Sequence, residues 1–348
     1  MPHTTRSLAA VAAIAMATLA ACGGGGHHHH ASAAPTPSLT SASPTPTPTK
    51  VATTCPLTGL APNSGQNINR PAVAVKIDNV DVARPQKGIG KADVVVEELV
   101  EGGLTRLFAV YQCDSAGKIE PVRSARSSDG DLLALLHGSV FAFSGANPAA
   151  LPPIRAHGNT VMISYEIYGS VFHRDGSRPA PHNVYASTEA LLAAGRAHRH
   201  GLTAPPPMFA YGPLDATATP ATTASLRWPD ASAGWTWKGG AWQRTQNGTP
   251  DISDGHRVSA TNVVIMSIAL GYTGIKDVAG NYSPLDITVG GSRPLWVLRD
   301  GHVIRGTWSR PSVNTFWRLV DLKGNPIVLK PGRTWVELLP RPAQPAIR

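Results

Sequence analysis

The sequence predicts an α+β protein, with a mixed α/β segment at residues 55–200 followed by a mostly antiparallel β segment at residues 201–340. Two observations predict this fold class. Before residue 200, apolar runs with strand periodicity alternate with stretches typical of helices. After residue 200, short strand-like runs follow one another through tight turns. We therefore expect two domains, joined near the prolines at 205–207, and a tail at 341–348.

Residues 55–200 combine strand-like and helix-like patterns. Residues 73–77 and 107–111 are apolar runs of the length and composition that strands prefer. Two other stretches predict helices, because each follows a serine that can accept a hydrogen bond from a free N–H group of the first turn. These helices are 129–137, after Ser127 or Ser128, and 188–198, after Ser187.

Residues 201–340 predict a series of hairpins. Asp300 and Gly301 form a pair favoured in two-residue type I′ turns, and strand-like runs flank them on both sides. Two further turns separate runs of the same kind. The predicted strand pairs are 235–237 with 241–243, 294–299 with 302–308, and 315–320 with 327–329, and residues 334–338 form one more strand.

The first 21 residues have the pattern of a bacterial export signal. Arg6 provides a positive charge, and residues 8–19 are apolar except for Thr18. This stretch is shorter than the roughly 20 apolar residues that a membrane-spanning helix needs, so we expect it to be cleaved. Leu19-Ala20-Ala21-Cys22 resembles the lipobox of bacterial lipoproteins, in which cleavage precedes a cysteine that is acylated on its thiol, typically with palmitate. A plain secretory signal that ends by chance at a cysteine is the alternative.

A lipid on Cys22 predicts a protein held at the extracytoplasmic face of the cell membrane. Residues 22–54 then form a linker rich in glycine, proline, serine and threonine, a composition that buries too little apolar surface to fold. The four histidines at 27–30 are more simply explained as a solvated low-complexity tract than as a metal site.

The formal net charge of +9 indicates which binding partners to expect. Outside the membrane, a basic protein meets anionic lipid head groups and wall polymers before it meets nucleic acid. The lysines and arginines are scattered along the chain, so the charge indicates a general preference and no docking patch. The sequence also lacks the spacings of zinc-protease and phosphate-loop motifs. We expect no metal, no cofactor and no nucleic-acid partner.

Cysteine usage agrees with export. Apart from Cys22, the chain contains only Cys55 and Cys113. An even pair in an oxidising compartment predicts a disulfide, whereas two free buried thiols are the alternative.

The candidate functional residues fall into three polar clusters, of which the first is residues 92–106. Glu97 and Glu98 follow an apolar run there. Since alternate strand residues face opposite sides, these two carboxylates cannot point into the same space. We expect at least one of them to face solvent or to pair with an arginine.

The second cluster is residues 121–127. Arg123 and Arg126, with small hydroxyl residues between and after them, precede the helix predicted at residue 129. Free N–H groups at a helix start and guanidinium groups both suit phosphate or carboxylate, so this composition predicts an anion site. A structural pairing of these arginines with Glu98 or Glu101 is the alternative.

The third cluster is the proline-rich loop at residues 172–185. His182 could act as a general base or acid, oriented by Asp175 or Asp78, and Ser124 could serve as a nucleophile. The sequence contains no nucleophile-elbow motif to support this hydrolase. A loop fixed by hydrogen bonds of its asparagine and arginines is the alternative.

The eight tryptophans all lie in the second segment, and Trp235 and Trp237 share a strand face. Exposed tryptophans would suit glycan binding, but burial between β layers is the expected role.

These motifs resemble the YerB-like lipoprotein family. The matching stretches are 70–79, 83–86, 92–94, 98–106, 121–126 and 180–183, then 299–301, 306–308 and 331–335. The resemblance runs in order through nearly everything after Cys55 and implies an N-terminal and a C-terminal domain. The family is catalogued as a domain of unknown function, so the resemblance supplies no catalytic residues. It usually has glycine where this sequence has Glu120, which changes the turn before Arg123.

Polar residues of the three clusters and of the family-like stretches 70–79 and 83–86 supply the site candidates. The catalytic candidates are Glu98, Glu101 and His182. The binding candidates are Asp78, Asn79, Arg84, Gln86, Arg106, Arg123, Ser124, Arg126, Arg174, Asp175 and Asn183.

Three functions compete at this stage. The leading hypothesis is an envelope lipoprotein that binds an anionic wall polymer or peptidoglycan fragment through its arginines. The second is an envelope hydrolase that uses Glu98 or Glu101 with His182. The third is a scaffold that recruits another envelope protein through its β domain.

Overall fold

The computed structural model describes residues 53–157 and 159–348, which contain three α-helices and 22 strands. The helices are α1 (Asp129–Leu133), α2 (Leu151–Ala156) and α3 (Thr188–His198). The strands before residue 201 are β1 (Val73–Asp78), β2 (Val94–Leu99), β3 (Thr105–Tyr111), β4 (Val140–Phe143), β5 (Val161–Ser164), β6 (His173–Arg174) and β7 (Val184–Tyr185).

The remaining strands follow residue 201. They are β8 (Thr219–Pro220), β9 (Thr223–Arg227), β10 (Ser232–Lys238), β11 (Ala241–Gln246), β12 (Thr249–Pro250), β13 (Ile252–Ser253), β14 (His256–Arg257), β15 (Ser259–Ala260), β16 (Asn262–Lys276), β17 (Tyr282–Ile287), β18 (Gly290–Arg299), β19 (His302–Arg310), β20 (Arg318–Asp321), β21 (Thr334–Pro340) and β22 (Ala346–Ile347). The predicted α+β class is confirmed.

The predicted signal peptide at residues 1–21, the acylation site at Cys22 and the linker up to residue 52 lie outside the described residues. Within the described ranges, no helix is long and apolar enough to span a membrane.

A mixed sheet of twelve strands runs through both predicted segments. Its main order is β20-β19-β18-β16-β21-β2-β3-β1-β4-β5, with β17 paired to β16 and β8 paired to β19. Strand β21 lies parallel to both neighbours, β16 and β2, and so joins the later strands to the earlier ones. The boundary predicted near residue 200 therefore separates two segments of the sequence, but strands from both segments belong to one continuous sheet.

A second sheet of six strands covers one face of the first. Its order is β12-β11-β10-β9-β22, with β15 paired to β11. Residues 341–348, predicted as a tail, contribute β22 to this sheet through its pairing with β9. Strands β22 and β9 are more than 100 positions apart in the sequence, so no local sequence pattern predicts their pairing.

Strand alternation in β1 separates two cores. Val73, Val75 and Ile77 pack on the face that carries α3 and the six-stranded sheet. Ala74 packs on the other face, among residues of α1 and α2. Burial of both faces explains why these strands read as continuous apolar runs.

The predicted hairpins at 235–243 and 294–308 are confirmed by antiparallel pairing of β10 with β11 and of β18 with β19. The helix Thr188–His198 is confirmed with its cap, because the Ser187 side chain accepts a hydrogen bond from the backbone N–H of Ala190. The helix predicted at 129–137 is shorter, since the α-helix ends at Leu133 and a 3-10 turn follows.

The predicted disulfide is present between Cys55 and Cys113, whose Cα atoms lie 5.9 Å apart. Both cysteines are buried. The bridge fixes the first described residues against the end of β3.

Candidate functional site

A cavity of about 610 Å³ opens where β1 ends, β3 begins and residues 123–126 pass beside them. Side chains from all three polar clusters and from the second segment line it. The polar ones are Asp78, Glu101, Thr105, Arg106, Arg123, Ser124, Arg126, Asn147, His182, Lys276, Asp277 and Ser283. The charged lining groups comprise four cations and three carboxylates, a difference of one positive charge.

Sheet register brings the first of these residues together. In the antiparallel pairing of β1 with β3, Asp78 lies directly opposite Arg106. The loop that carries Arg123 is bound along β1, because its backbone N–H donates to the Lys76 carbonyl at 2.8 Å. The neighbouring Ala125 N–H donates to the Gly145 carbonyl at 3.0 Å.

Three guanidinium groups converge at the cavity, and two of them are paired with carboxylates. Arg123 Nε lies 3.0 Å from Asp78 Oδ2. Arg126 Nε donates to Glu101 Oε2 at 2.7 Å. Arg106 instead donates to the backbone carbonyl of Ser124 at 3.0 Å and forms no ion pair with the described residues.

Arg106 is thus a cation that an anionic ligand could satisfy. Burial and the nearby charges of Arg126 and Arg123 lower the pKa of Arg106 to about 9, against the opposing effect of Asp78 and Glu101. The guanidinium is still protonated at neutral pH. Because it lies among like charges in a poorly solvated place, it gains most from a bound phosphate or carboxylate.

His182 completes a hydrogen-bonded group at the cavity wall. Its Nδ1 lies 2.8 Å from Asp78 Oδ2, the oxygen that also contacts Arg123. Asp78 is buried, whereas the His182 side chain is partly exposed. A histidine held through Nδ1 keeps Nε2 for a ligand or for proton transfer.

Glu101 is held as a carboxylate. Burial opposes its ionisation, but the hydrogen bonds and charge of Arg126, together with the Ser283 hydroxyl, lower its pKa below the ordinary glutamate range. A carboxylate that stays ionised at neutral pH cannot donate a proton as a general acid.

The family models match both predicted segments of the chain. Residues 57–201 match "Protein of unknown function (DUF3048) N-terminal domain", and residues 224–336 match the C-terminal domain of the same family. The chain belongs to this family. This confirms the resemblance inferred from the sequence motifs.

A similar sequence supports the assignment of this chain to the DUF3048 family, and a similar structure supports its fold. The chain is 30% identical over 303 residues to "Putative lipoprotein YerB" of Bacillus subtilis (strain 168), which covers 82% of this chain and 86% of the relative. The crystal structure of the YerB protein from Bacillus subtilis has a TM-score of 0.71 at 24% identity, and the match covers 84% of this chain and 99% of that one. The structural likeness shows the fold alone.

Seven of the predicted site residues of this DUF3048 protein line the cavity: Asp78, Glu101, Arg106, Arg123, Ser124, Arg126 and His182. The contact of Ser124 with His182 that a hydrolase would need is not formed, because the Ser124 hydroxyl makes no hydrogen bond within the described ranges. The alternative pairing of an arginine with Glu101 is present, in Arg126.

Glu98 lies apart from the cavity. It is buried on the α1 face of the sheet, in contact with Lys76, whose Nζ also donates to Asp129 Oδ1 at 2.7 Å. Burial raises the pKa of Glu98 well above the ordinary range. Its neighbour Glu97 faces the opposite side and pairs with Arg244, as strand alternation predicts.

Six other candidates support the loops around the cavity and do not line it. Asn79 donates to Glu97 and Thr105, and Gln86 donates to the Asn79 side chain at 3.1 Å. Arg84 donates to the Asn79 carbonyl at 2.9 Å. The other three are Arg174, which donates to Asn183 Oδ1 at 2.7 Å, Asn183 itself, and Asp175, which pairs with Lys118 at 2.5 Å.

Glu120, at which the sequence resemblance led us to expect glycine, is buried behind the third cluster. Its carboxylate lies 3.2 Å from Lys118 Nζ and 3.3 Å from Arg178 Nε. This chain therefore ties the turn before Arg123 to the loop of His182 by ion pairs, which a glycine could not do.

Sequence reasoning missed the cavity residues Asn147, Lys276 and Ser283. Ser283 donates to Glu101 across 182 positions of sequence, and nothing local to either residue indicates that contact. In the part of the chain that the structure describes, no group of three or more His, Cys, Asp or Glu side chains is arranged to hold a metal ion.

The tryptophan pair does not form an exposed face. Trp235 is buried and its indole N–H donates to Glu337 at 2.8 Å. Trp237 packs against Trp242, with ring centroids 5.5 Å apart. Trp235 therefore has the expected buried role between the β layers, whereas Trp237 is half-buried against its cross-strand partner Trp242.

Proposed function

We propose that this chain is a lipoprotein anchored through Cys22 at the extracytoplasmic face of the cell membrane, and that its cavity binds an anionic component of the envelope. The ligand is a wall polymer or a peptidoglycan fragment that presents phosphate or carboxylate. The predicted export signal, the name of the Bacillus relative and the excess of cations in the cavity support this proposal.

The observation that carries the proposal is that Arg106 forms no ion pair with the described residues. Asp78 is engaged by Arg123 and His182, and Glu101 is engaged by Arg126, so both nearby carboxylates already have partners. Residues 1–52 contain no Asp or Glu, so no carboxylate outside the described residues can pair with Arg106. A ligand oxygen is the partner that the cavity lacks.

The binding test uses the mature chain with Cys22→Ser, which carries no lipid, titrated calorimetrically with polyglycerol phosphate. Arg106→Gln should weaken binding roughly tenfold or more, because a charge-assisted hydrogen bond to a ligand is worth about 1.5–3 kcal/mol. The matched control is Arg227→Gln, which removes an exposed arginine from β9. Thermal melts of each variant report whether the fold is intact.

Salt should weaken binding by the parent chain, because screening acts on the attraction between the guanidinium groups and phosphate. An affinity that does not change with salt would contradict the proposal. So would equal affinity in the Arg106→Gln variant and its parent.

Hydrolysis of the bound component is our second proposal, and the His182–Asp78 contact is the observation that favours it. His182 Nε2 would accept a proton from a water whose oxygen attacks the phosphorus of a phosphate ester. The bond to the leaving glycerol oxygen would then break, and the protonated imidazole would return the proton to that oxygen. The version in which Glu98 or Glu101 acts as a general acid beside His182 loses support, because Glu98 lies outside the cavity and Glu101 stays ionised.

The hydrolysis test follows release of new phosphate or reducing ends from polyglycerol phosphate and from peptidoglycan. His182→Gln should abolish release, because glutamine cannot accept a proton from water, and it should leave the affinity for polyglycerol phosphate within about twofold, because the arginines make the charge-assisted contacts with the anion. Release at the same rate in the variant would refute this role, and no release by the parent chain would refute hydrolysis of these two polymers.

A further inference from the structure

The hairpin formed by β16 and β17 reaches beyond the central sheet and forms one wall of the cavity. Residues 262–268 of β16 pair with β18 and β21 inside the sheet. Residues 269–276 pair with β17 alone. The tip of this hairpin, from Ile275 to Val278, and Ser283 on its second strand line the cavity.

Exposed apolar side chains concentrate on this hairpin. Tyr272, Val278 and Tyr282 are 67%, 110% and 53% exposed. A fourth, Ile167, is 74% exposed and lines an apolar groove of about 430 Å³ that shares Ala146 with the cavity. These four are half of the eight large apolar side chains exposed in the described ranges. Single exposed apolar residues are ordinary, but three on one hairpin that borders the cavity indicate a binding surface.

The chemistry of the hairpin is that of side chains found at membrane surfaces. Lys276 and Tyr282 are cross-strand partners, and Lys276 Nζ lies 4.5 Å from the centre of the Tyr282 ring. Tyrosine and lysine combine an apolar body with a polar end, so both favour the level of the lipid head groups. Val278 at the tip has no polar end and can enter the acyl region.

We propose that this hairpin docks on the lipid bilayer, so that the cavity takes the phosphate of an anionic lipid head group presented at that surface. The inference rests on the proposed anion-binding function of the cavity, but it names a lipid head group, in place of a wall polymer or peptidoglycan fragment, as the source of the anion. The apolar tip and the unpaired Arg106 lie on the same opening, and an anionic amphiphile is the ligand class that satisfies both.

The predicted lipid anchor at Cys22 would allow a weak contact between the hairpin and the bilayer to persist. Thirty residues separate Cys22 from Thr53, the first described residue. A chain of that length spans at most roughly 100 Å, so it keeps the folded part close to the bilayer. Tethering raises the effective concentration of the surface, and a shallow hairpin insertion then needs little affinity of its own.

The test measures sedimentation of the unlipidated Cys22→Ser chain with vesicles of phosphatidylcholine alone or mixed in equal parts with phosphatidylglycerol. The hairpin variant carries Tyr272→Ser and Tyr282→Ser, two exposed positions that do not line the cavity. The matched control carries Leu60→Ser and Leu322→Ser, which remove exposed apolar side chains elsewhere on the surface. Each protein is also titrated with soluble polyglycerol phosphate.

We expect the parent and the control to sediment with the mixed vesicles and not with phosphatidylcholine alone. The hairpin variant should partition roughly tenfold more weakly, since it loses the burial of two tyrosine side chains, yet bind soluble polyglycerol phosphate like the parent. Equal sedimentation of the hairpin variant, or none by the parent, would overturn bilayer docking. Failure of the parent to bind either anion would instead refute the proposed function.

Discussion

Replacing Arg244 with methionine is expected to lower the free energy of unfolding by about 3–5 kcal/mol. Arg244 is fully buried between the two sheets, where it pairs with Glu97 and, at 2.5 Å, with Asp251. Burial opposes its charge, yet the neighbouring carboxylates Glu97, Asp251 and Glu337 raise its pKa above the ordinary value. Its removal leaves those carboxylates buried without a cation.

Urea unfolding of Arg244→Met checks this expectation. The control is Arg227→Met, an exposed position on β9 of the same sheet, which should change stability by less than about 0.5 kcal/mol. If Arg244→Met does not fold, adding Glu97→Gln should restore folding in part, because one of the unpaired charges is then removed. A loss below about 1 kcal/mol would show that the carboxylates do not depend on Arg244.

Loss of the Cys55–Cys113 disulfide is the second change with a large expected effect. The bridge closes a loop across 58 positions. Restricting an unfolded chain by a loop of that length stabilises the folded state by about 4 kcal/mol in the chain-entropy description. Cys55→Ala with Cys113→Ala should therefore lower the urea midpoint strongly.

Reductant provides the matching control for the disulfide. It should lower the midpoint of the parent chain in the same way and leave the double variant unchanged. Two titratable thiols in the untreated parent, or an unchanged midpoint after both thiols are released, would contradict a stabilising bridge.

Local patterns predicted most of the strands and the hairpins, because a tight turn specifies the pairing of the runs beside it. The Asp300-Gly301 turn is the clearest case: Asp300 has a positive φ of 51° and Gly301 one of 70°, as a type I′ turn requires. The same reasoning predicted that Glu97 and Glu98 face opposite sides, and their separate cations on the two faces confirm it.

The long-range pairings could not be predicted in this way. Strand β21 was predicted as a strand, but its parallel pairing with β2 joins positions about 240 residues apart. Helix α2 was missed because Pro152 and Pro153 at its start resemble a loop, although proline is compatible with the first turn of a helix. Lys276 and Ser283 reach the cavity through a hairpin whose place follows from the whole sheet.

The sequence predicted only part of the candidate site, and the reason is physical. The arginines at 123 and 126 precede a helix and recur in the family motif, so their composition indicated an anion site. Which arginine lacks a carboxylate depends on the side-chain pairing in the folded protein. Arg106 is opposite Asp78 in register, but Arg123 and His182 engage that carboxylate instead.

A crystal structure of the unlipidated Cys22→Ser chain soaked with glycerol phosphate tests the anion site most directly. We predict the phosphate in the cavity, within hydrogen-bond distance of the Arg106 guanidinium and of Arg123 or Arg126. Phosphate bound elsewhere on the protein, with Arg106 still donating only to the Ser124 carbonyl, would contradict the proposed function.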